Sequence, residues 1–511
     1  MSDLIRMTGL NSGLDTESII SAYTSKATKR VTDAKNSLTK NKWTQTAWQD
    51  LNKKIYSFYA NTLSTNRLST AYSKQKVTTS NSALSVVAGK SAVNGIQSAR
   101  IEQQATAAYL TGSKVDIKKG DEKLTEKLGI AEGSTITLRK ADNSTVDITI
   151  GSGEGQVNTM DKLTAAIKKA GFNANFDAGN QRLFISGKDT GKANDFSFEG
   201  DITALAKLGI ASADQLSTLP DATGYKAASK IDGQNAMLEL NGAMFESNTN
   251  TFTINGSTYT INAMPADKNE MISVTTSADY DAVYDVVKDM LKEYNDLINE
   301  MSKLYNADSS KGYEPLTDEQ KEAMTEKEIE DWENKIKDSL LRNDDTLFGV
   351  MDAMTSTMNK GINVGGKNMY LADFGIATLG YFSSEKNERY ALHIDGDSDD
   401  SATAGNKDKL KTMIASDPET VTKFFSQLSG ELYKNLYAKM GSSSMSSIYK
   451  VYNDKQLATE EKDWEKKIAE LEQKVSDMED KYYDRFASME KAIANLNGKQ
   501  TAVSGMLGYS N

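Results

Sequence analysis

Apolar residues recur at helical spacing along the N-terminal part of the chain. No glycine lies between Gly13 and Gly89, and the first proline is Pro220, so nothing interrupts a helix here. Asp15 and Thr16 are good capping residues directly before the first apolar position. The apolar stripe that follows consists of Ile20, Tyr23, Ala27, Val31, Ala34, Leu38, Trp48, Leu51, Ile55 and Phe58. The pattern predicts one helix to about Leu63, about 70 Å long and therefore too long for a compact domain.

The C-terminal part carries a second long helical pattern. Neither glycine nor proline lies between Gly441 and Gly498. Apolar residues alternate four and three apart at Trp464, Ile468, Leu471, Val475, Met478 and Tyr482, and the stripe continues at Phe486, Met489, Ile493 and Leu496. This alternation is typical of a coiled-coil seam. The step of four from Tyr482 to Phe486 interrupts it as a stutter, which loosens the supercoil locally.

The two ends of the chain carry charges of opposite sign. Residues 1–76 contain twelve Lys or Arg and five Asp or Glu, a balance of +7, whereas residues 460–497 contain seven and eleven, a balance of −4. Opposite charge favours contact between the terminal helices, although exposed ion pairs contribute little each. The alternative is that both charged faces are solvated and select no partner.

The middle of the chain is rich in β-forming residues. Residues 77–263 contain many Thr, Ser, Gly and Asn, and the segments 134–140 and 144–151 flank a turn as the strands of a β-hairpin do. A helix at 160–169 and a strand pair within 172–186 are expected next. The sequence Leu-Gly-Ile-Ala occurs at Leu128 and again at Leu208, which is too short to establish a repeat.

Helical patterns return after residue 280. Capping boxes begin at Thr317 and Thr325, and Pro418 occupies the first position of a further helix. Together the patterns predict a multidomain α+β protein, in which terminal helices form a coiled-coil stalk, a helical base domain follows, and β-rich domains are inserted in the middle.

Composition narrows the possible functions. The 511 residues carry a net charge of −11, which argues against nucleic-acid binding and against adhesion to an anionic membrane. The chain has no Cys and one His, which excludes disulfides, cysteine nucleophiles and multi-histidine metal sites. No stretch of about 18 apolar residues is present, and residues 1–14 lack the apolar core of a secretory signal.

Three segments could carry chemistry, and each has a simpler interpretation. Residues 361–368 resemble a phosphate-binding loop, but Asn368 stands where a hydroxyl residue should hold magnesium, so a glycine-rich helix stop is favoured. Asp395, Asp397, Asp399 and Asp400 do not have the spacing of an EF-hand and favour a solvated acidic turn. His393 lacks a serine elbow and is expected to be an ordinary strand residue.

Five segments, in order along the chain, resemble the bacterial flagellar filament cap protein family, also called hook-associated protein 2. They are Met7-Thr-Gly-Leu-Asn-Ser-Gly-Leu-Asp15 with Ser18-Ile-Ile20, Gly95-Ile-Gln-Ser-Ala-Arg-Ile-Glu-Gln-Gln-Ala105, 231–242 with 248–261, Leu371-Ala-Asp-Phe-Gly-Ile376 with 415–426, and 485–497. Residues 115–230 match the family least. Asn11 departs from the family's usual small residue, which affects only that turn.

The resemblance implies a non-enzymatic structural protein without cofactors or metals. It implies a homo-oligomeric ring at the distal tip of the flagellar filament, outside the cell, where exported flagellin folds and polymerises. The implied partners are further copies of the chain, flagellin, hook–filament junction proteins, and a flagellar export chaperone at the C-terminal helix. Nucleic acid and membrane are not expected as partners. Export through a type III channel would explain the missing cleaved signal peptide.

We expect a division of the chain into four parts. The terminal coiled-coil region comprises residues 1–45 and 457–511 and is expected to be disordered in the isolated monomer. The helical base comprises residues 46–76 and 275–456. A β-rich domain comprises residues 77–115 and 230–274, and the outermost α+β insert is 116–229. The residues expected to make oligomer or filament contacts through the terminal helices are Ile20, Tyr23, Ala27, Leu38, Ile468, Leu471, Val475 and Met478.

Two alternatives from other classes stay open at this point. An adhesin would bind host mucin or glycans through the β-rich insert, and this activity is compatible with capping. An enzyme, such as a glycoside hydrolase or a nucleotide hydrolase that uses Lys367, would lose turnover when a single acidic residue or this lysine is replaced.

Overall fold

The computed structural model describes residues 12–89 and 92–506. The helices in chain order are α1 Thr16–Ser57, α2 Ser64–Asn66, α3 Leu124–Lys127, α4 Met160–Lys169, α5 Ile202–Lys207, α6 Ala213–Ser217, α7 Tyr280–Tyr305, α8 Asp318–Glu322, α9 Glu326–Lys337, α10 Asp345–Met358, α11 Lys409–Ser416, α12 Pro418–Lys439 and α13 Asp454–Met506. A π-helical turn, Phe58–Leu63, joins α1 to α2. The predicted helix to about Leu63 is thereby confirmed.

The strands belong to several separate antiparallel sheets. In chain order they are β1 Gln75–Thr79, β2 Leu84–Ala88, β3 Gly95–Gln103, β4 Tyr109–Thr111, β5 Thr135–Lys140, β6 Thr145–Thr149, β7 Asn173–Asp177, β8 Arg182–Ser186, β9 Phe196–Gly200, β10 Ser229–Ile231, β11 Ala236–Leu240, β12 Ala243–Ser247, β13 Thr251–Ile254, β14 Ser257–Ile261, β15 Ile272–Ala278, β16 Ile362–Val364, β17 Lys367–Met369, β18 Ile376–Ala377 and β19 His393–Ile394. The α+β class predicted from the sequence is confirmed.

The chain folds into two compact units. One contains the residues up to Tyr72 and from Tyr280 onward, and the other is Ser73–Asp279. The boundaries expected at residues 76 and 275 fall inside β1 and β15, which pair with each other from Gln75↔Ala278 to Thr79↔Val274. Those two boundaries therefore move by a few residues, because strand pairing holds both segments in the β-rich unit. The four-part division itself stays a prediction.

The helical unit has one continuous apolar core. The predicted stripe of α7 turns its apolar face inward, and Val287, Ile298 and Met301 are fully buried there. At the centre the ring of Phe374 lies 4.5 Å from that of Phe424, measured between ring centroids. The predicted capping boxes at Thr317 and Thr325 both form, and Pro418 is the first residue of α12. In this unit the helix starts that the capping residues predict and the helix faces that the apolar pattern predicts to be buried are therefore both present.

The glycine-rich segment at 361–368 is a β-hairpin. α10 ends at Met358, and β16 pairs with β17 through a turn at Gly365 and Gly366, whose φ angles of 60° and 90° suit glycine. The expected helix stop therefore accounts for only the start of this segment. Because a phosphate-binding loop joins a strand to a helix, this hairpin does not form one.

The β-rich unit contains two apolar cores. In the first, the sheet β1-β15-β3-β11-β12 faces the sheet β13-β14-β2, and alternate residues such as Leu84, Ile101 and Val274 point inward. The second core lies among the sheets β10-β4-β8-β7 and β6-β5-β9 and helices α4 and α5. The predicted hairpin is β5–β6, the predicted helix is α4, and the predicted strand pair is β7–β8.

The repeated Leu-Gly-Ile-Ala sequence is a helix-ending motif. Leu128 caps the C-terminus of α3 and Leu208 that of α5, and Gly129 and Gly209 follow with φ angles of 61° and 70°. A left-handed glycine is a common way to end a helix because it has no Cβ to clash. Among the residues that the structure describes, no helix is both long and apolar enough to cross a membrane.

Candidate assembly interface

The two terminal helices pair with each other along their length. Tyr23 stacks on Tyr482 with ring centroids 5.1 Å apart, Lys35 Nζ lies 2.8 Å from a carboxylate oxygen of Glu472, and Trp48 stacks on Tyr452 at 5.4 Å. Residue numbers thus rise on α1 as they fall on α13, so the pair is antiparallel. We call residues 16–46 of α1 and 457–490 of α13 the stalk. The expected contact between the terminal helices is confirmed.

Most of the predicted contact residues lie at the seam of the stalk, but few are fully buried. Ile20 and Ile468 are 3% and 9% exposed. Ala27, Leu38, Leu471, Val475 and Met478 are half-buried. Two helices provide only one strip of contact, so the residues at its centre are buried and those at its margins keep part of their surface in solvent. Their role in contacts with other subunits stays a prediction.

Tyr23 contacts α13 at the edge of the seam by stacking on Tyr482, and Thr24 occupies the seam itself. The Tyr23 side chain is 58% exposed, whereas Thr24 is 1% exposed. The Thr24 hydroxyl donates a hydrogen bond to the Ile20 carbonyl oxygen at 3.0 Å, which satisfies a polar group in an apolar seam. A strict alternation of four and three would have found this position, since 20, 24, 27, 31, 34, 38, 41, 45 and 48 follow it. The pattern of apolar residues does not reveal this alternation because Thr24, Asn41 and Gln45 are polar.

Polar contacts between the helices follow the opposite charges of the two ends. Lys42 Nζ lies 3.4 Å from Glu461 and 3.5 Å from Glu465. Gln45 donates a hydrogen bond to Glu461 at 2.8 Å, and this bond, with the charge of Lys42, lowers the pKa of the glutamate. These groups are largely exposed, so they contribute to register and salt sensitivity more than to stability.

A buried asparagine, Asn52 of α1, forms hydrogen bonds with the segment that precedes α13. Asn52 accepts a hydrogen bond from the Val451 amide at 2.9 Å and donates one to the Tyr449 carbonyl oxygen at 3.2 Å. Tyr449 has a φ of 63°, which is strained for a bulky residue. The two hydrogen bonds hold this strained connection between α12 and α13 against α1. Nothing in the apolar pattern pointed to Asn52.

Past Glu490, α13 presents apolar side chains to solvent. Ser12, the first described residue, donates a hydrogen bond from its amide to Glu490 at 3.3 Å. Beyond this point Leu496, Val503 and Met506 are all more than half exposed. The segment Met7 to Asn11 of the N-terminal motif lies outside the described residues.

The acidic segment after β19 forms ion pairs with Lys288 and is therefore not simply a solvated turn. Lys288 Nζ lies 2.7 Å from Asp397 and 2.6 Å from Asp399, and Asp397 is buried. His393 is a strand residue as expected, and its Nδ1 lies 2.6 Å from Asp400. Burial raises the pKa of Asp400, but the hydrogen bond with His393, together with the hydrogen bond from the Ala402 amide and the charge of His393, outweighs it, and the pKa is lowered. No cluster of three or more His, Cys, Asp or Glu suited to a metal occurs among the described residues.

Comparisons with known proteins point to one family. Residues 233–498 match the model described as the flagellar hook-associated protein 2 C-terminus, and residues 12–108 match the model of its N-terminus. A flagellar hook-associated protein 2 of Halalkalibacterium halodurans is 24% identical, over 98% of this chain and 99% of its own length.

A solved structure of a flagellar cap protein shares the fold. Domains D1-D2-D3 of the flagellar cap protein FliD from Escherichia coli align with a TM-score of 0.50 at 18% identity, covering 78% of this chain and 96% of that one. FliD (HAP2) from Pseudomonas aeruginosa PAO1 aligns with a TM-score of 0.30 at 22% identity, covering 42% and 93%. These comparisons give no support to an adhesin. Because the C-terminal family model alone spans more than half of the chain, the chain belongs to the flagellar hook-associated protein 2 family of flagellar cap proteins.

Proposed function

We propose that this protein caps the distal end of a bacterial flagellar filament as a homo-oligomeric ring and promotes the folding and polymerisation of exported flagellin. The role is structural and not enzymatic. The partners are other copies of the chain, flagellin, the hook–filament junction proteins during assembly, and an export chaperone at the C-terminal helix. The protein acts outside the cell.

The antiparallel stalk is the observation that carries this proposal. One half-buried seam leaves apolar surface on both helices, and α13 extends past the pair with exposed Leu496, Val503 and Met506. Apolar helix surface of this kind is stabilised by further helices. Neighbouring subunits and the filament end would supply them. Ordering part of this surface only on assembly keeps binding reversible, as a cap that advances with the growing filament requires.

We assign the remaining parts by region. The helical unit around α7, α10 and α12 is the rigid base of the subunit. The β-rich parts, 77–115 with 230–274 and the insert 116–229, form the plate of the cap and its outer surface. Ile20 and Ile468, the most buried of the predicted contacts, hold the stalk together, and the half-buried residues of the same seam contact neighbouring subunits.

The test replaces one seam residue. Leu471→Asp places a charge in the half-buried seam, whereas Ala469→Asp places the same charge two residues away on the exposed face. In cells that lack their own copy of the gene, we expect the first variant to yield short or absent filaments with flagellin released into the medium. The second should restore normal filaments. Electron microscopy and the amount of flagellin in the culture medium measure both.

Folding of the purified variants separates capping from stability. The cooperative unfolding of the helical unit should be unchanged in both, because neither residue belongs to its core. Normal filaments with Leu471→Asp would show that the stalk does not act in capping. Light scattering of the full chain and of residues 46–456, across concentration, tests self-association directly; strict monomers in both cases would place ring formation only at the filament end.

A further inference from the structure

A groove of about 880 Å³ opens in the β-rich unit where β4 and β10 separate. The two strands pair as far as Thr111↔Ser229. Beyond this pair, the Ser113 amide donates to the Gly209 carbonyl at 2.8 Å and the Ala228 amide to the Ala211 carbonyl at 2.9 Å. The loop after α5 therefore enters between the two segments. The groove has residues 113–116 on one wall, 224–227 on the other, and 206–207 between them.

The groove is basic in a protein that is acidic overall. Its lining includes the cations Lys114, Lys127, Arg182, Lys207 and Lys226. Asp116 is the acidic residue of the same lining, so the local balance is +4, against −11 for the whole chain. Concentrated charge of one sign in a concave surface focuses the potential and attracts ligands of the opposite sign.

The cations differ in how firmly they are held. Arg182 donates from Nη1 to the Gly112 carbonyl at 2.8 Å, and Lys207 donates to the Gly129 carbonyl. Lys114 and Lys226 are exposed, and neither makes an ion pair or a side-chain hydrogen bond with another residue of the part of the chain that the structure describes. Two positioned cations thus lie beside two that are available to a ligand.

The repeated helix-ending motif supplies part of this charge. In both copies the residue before Leu-Gly-Ile-Ala is a lysine, Lys127 in the first and Lys207 in the second, and both line the groove. The hydrogen bond from Lys207 to Gly129 joins the two copies directly. The motif therefore does more than end two helices, because it brings two lysines to one surface.

The walls of the groove also carry main-chain groups without partners. The amides of Lys114, Asp116 and Lys226 have no hydrogen-bond acceptor within residues 12–89 and 92–506. Peptide carbonyls satisfy such amides when an extended chain is added beside them, as in β-strand addition. Val115, Leu128 and Tyr225 add apolar surface to the same lining.

We propose that this groove binds an extended acidic polypeptide segment of a partner protein. The cations recognise carboxylates, with Lys114 and Lys226 available and Lys127 shared with Glu122 at 3.6 Å, and the unpaired amides of the walls recognise the peptide backbone. Nucleic acid or an anionic glycan would use the charge but would leave the amides without a matching repeat of carbonyls. The site lies in the β-rich unit and does not depend on the capping role proposed above.

The full-length protein is titrated into a fluorescein-labelled peptide of alternating Glu and Thr, about twelve residues long, which spans a typical strand with room at both ends. Fluorescence anisotropy at physiological salt measures binding. A peptide of alternating Lys and Thr tests the charge requirement. The same acidic peptide with its amides replaced by esters keeps its charge but offers the groove amides much weaker carbonyl acceptors.

Two double variants locate the site. Lys114→Glu with Lys226→Glu reverses the two available charges of the groove. Lys162→Glu with Lys168→Glu makes the same change in net charge at exposed positions of α4 that do not line the groove. We expect the first double variant to weaken binding of the acidic peptide by at least about tenfold. The second should leave the affinity within about twofold, since an exposed charge outside the groove contributes little to binding. Circular dichroism confirms that both variants are folded.

Each other outcome would overturn the proposal. Equal weakening by both double variants would mean non-specific attraction to surface lysines. Unchanged binding of the ester-containing peptide would remove the role of the backbone carbonyls. If heparin or single-stranded DNA bound the groove and the acidic peptide did not, the ligand would belong to another class.

Discussion

The two halves of α1 follow one apolar pattern but lie in different surroundings. In the half inside the helical unit, Trp48, Leu51 and Ile55 are at most 3% exposed. In the stalk half, Ala27 and Leu38 at equivalent spacing keep part of their surface in solvent. The base half lies in the apolar core of the helical unit, whereas the stalk half has α13 along it. Burial therefore depends on the number of neighbours more than on the pattern.

The difference separates where stability resides from where assembly can act. A core closed on every side unfolds cooperatively, whereas a single seam opens at lower free energy. The base half of α1 thus holds the helix in the core, and the stalk half can pack against helices of several subunits in place of α13 alone. Five measurements test this contrast, beginning with the largest expected effect.

Deleting a core ring should be far more costly than deleting a seam side chain. Phe424→Ala removes a fully buried ring that packs on Phe374, and we expect a loss of about 3–5 kcal/mol in the free energy of unfolding. Ile468→Ala in the stalk should cost about 2 kcal/mol, the low end for a buried isoleucine, because a two-helix seam can close around the lost side chain. Urea unfolding followed by circular dichroism measures both. Equal losses would break the contrast between base and stalk.

Lys288 neutralises a buried carboxylate in the base. Lys288→Met leaves Asp397 without its ammonium partner, and we expect a loss of about 2 kcal/mol, reduced from the fully buried case because Lys288 is partly exposed. Lys292→Met, which removes the exposed pair with Asp296, is the matched control and should change stability by less than about 0.5 kcal/mol. A loss as small as the control's would show that Asp397 is adequately solvated.

The same lysine predicts a loss of stability at high pH. Burial alone would lower the pKa of Lys288, but hydrogen bonds to Asp397 and Asp399 outweigh it and raise the pKa above its ordinary value of 10.5. A raised lysine pKa means that the stabilisation is complete below 10.5 and is lost as the pH rises above it towards the folded-state value. Unfolding midpoints across this range should fall more steeply for the native chain than for Lys288→Met.

The junction between base and stalk depends on Asn52. Asn52→Ala removes the hydrogen bonds to Tyr449 and Val451 and leaves a buried amide and carbonyl unpaired, which should cost about 1–2 kcal/mol. Asn61→Ala, at an exposed position whose side chain bonds only to Ser57 at 3.1 Å, is the control. Hydrogen exchange should speed up at residues 449–453 in the first variant alone. Unaltered exchange there would mean that other contacts hold the junction.

The smallest effect is expected for an ion pair of the stalk. Lys35 and Glu472 are both about half exposed, so Lys35→Ala should change stability by less than about 0.5 kcal/mol. A double-mutant cycle with Glu472→Ala, repeated at low and high salt, measures the coupling between the two side chains. A coupling that is large and insensitive to salt would show that the stalk is held by charge and not by its seam.

Short-range rules accounted for many individual elements. The hairpin β5–β6, the helix α4 and the capping boxes at Thr317 and Thr325 formed where turn chemistry, side-chain spacing and capping residues predicted them. Each depends on residues that are close in the chain, so local preference and the final structure agree. The hairpin at 361–368 was missed because a pair of glycines can end a helix or turn a hairpin, and only the pairing partner distinguishes the two.

The sequence alone determined the class of fold, the two terminal helices and their attraction, since these follow from periodicity, missing helix breakers and charge. Tertiary structure decided which seam residues are buried, and it placed Thr24 in the seam and Tyr23 at its edge because the geometry of the pair sets the seam. It also placed Lys288 against Asp397, Asn52 against Tyr449, and five cations of the insert around one groove. Those partners are far apart in the chain, and only the folded chain brings them within reach of each other.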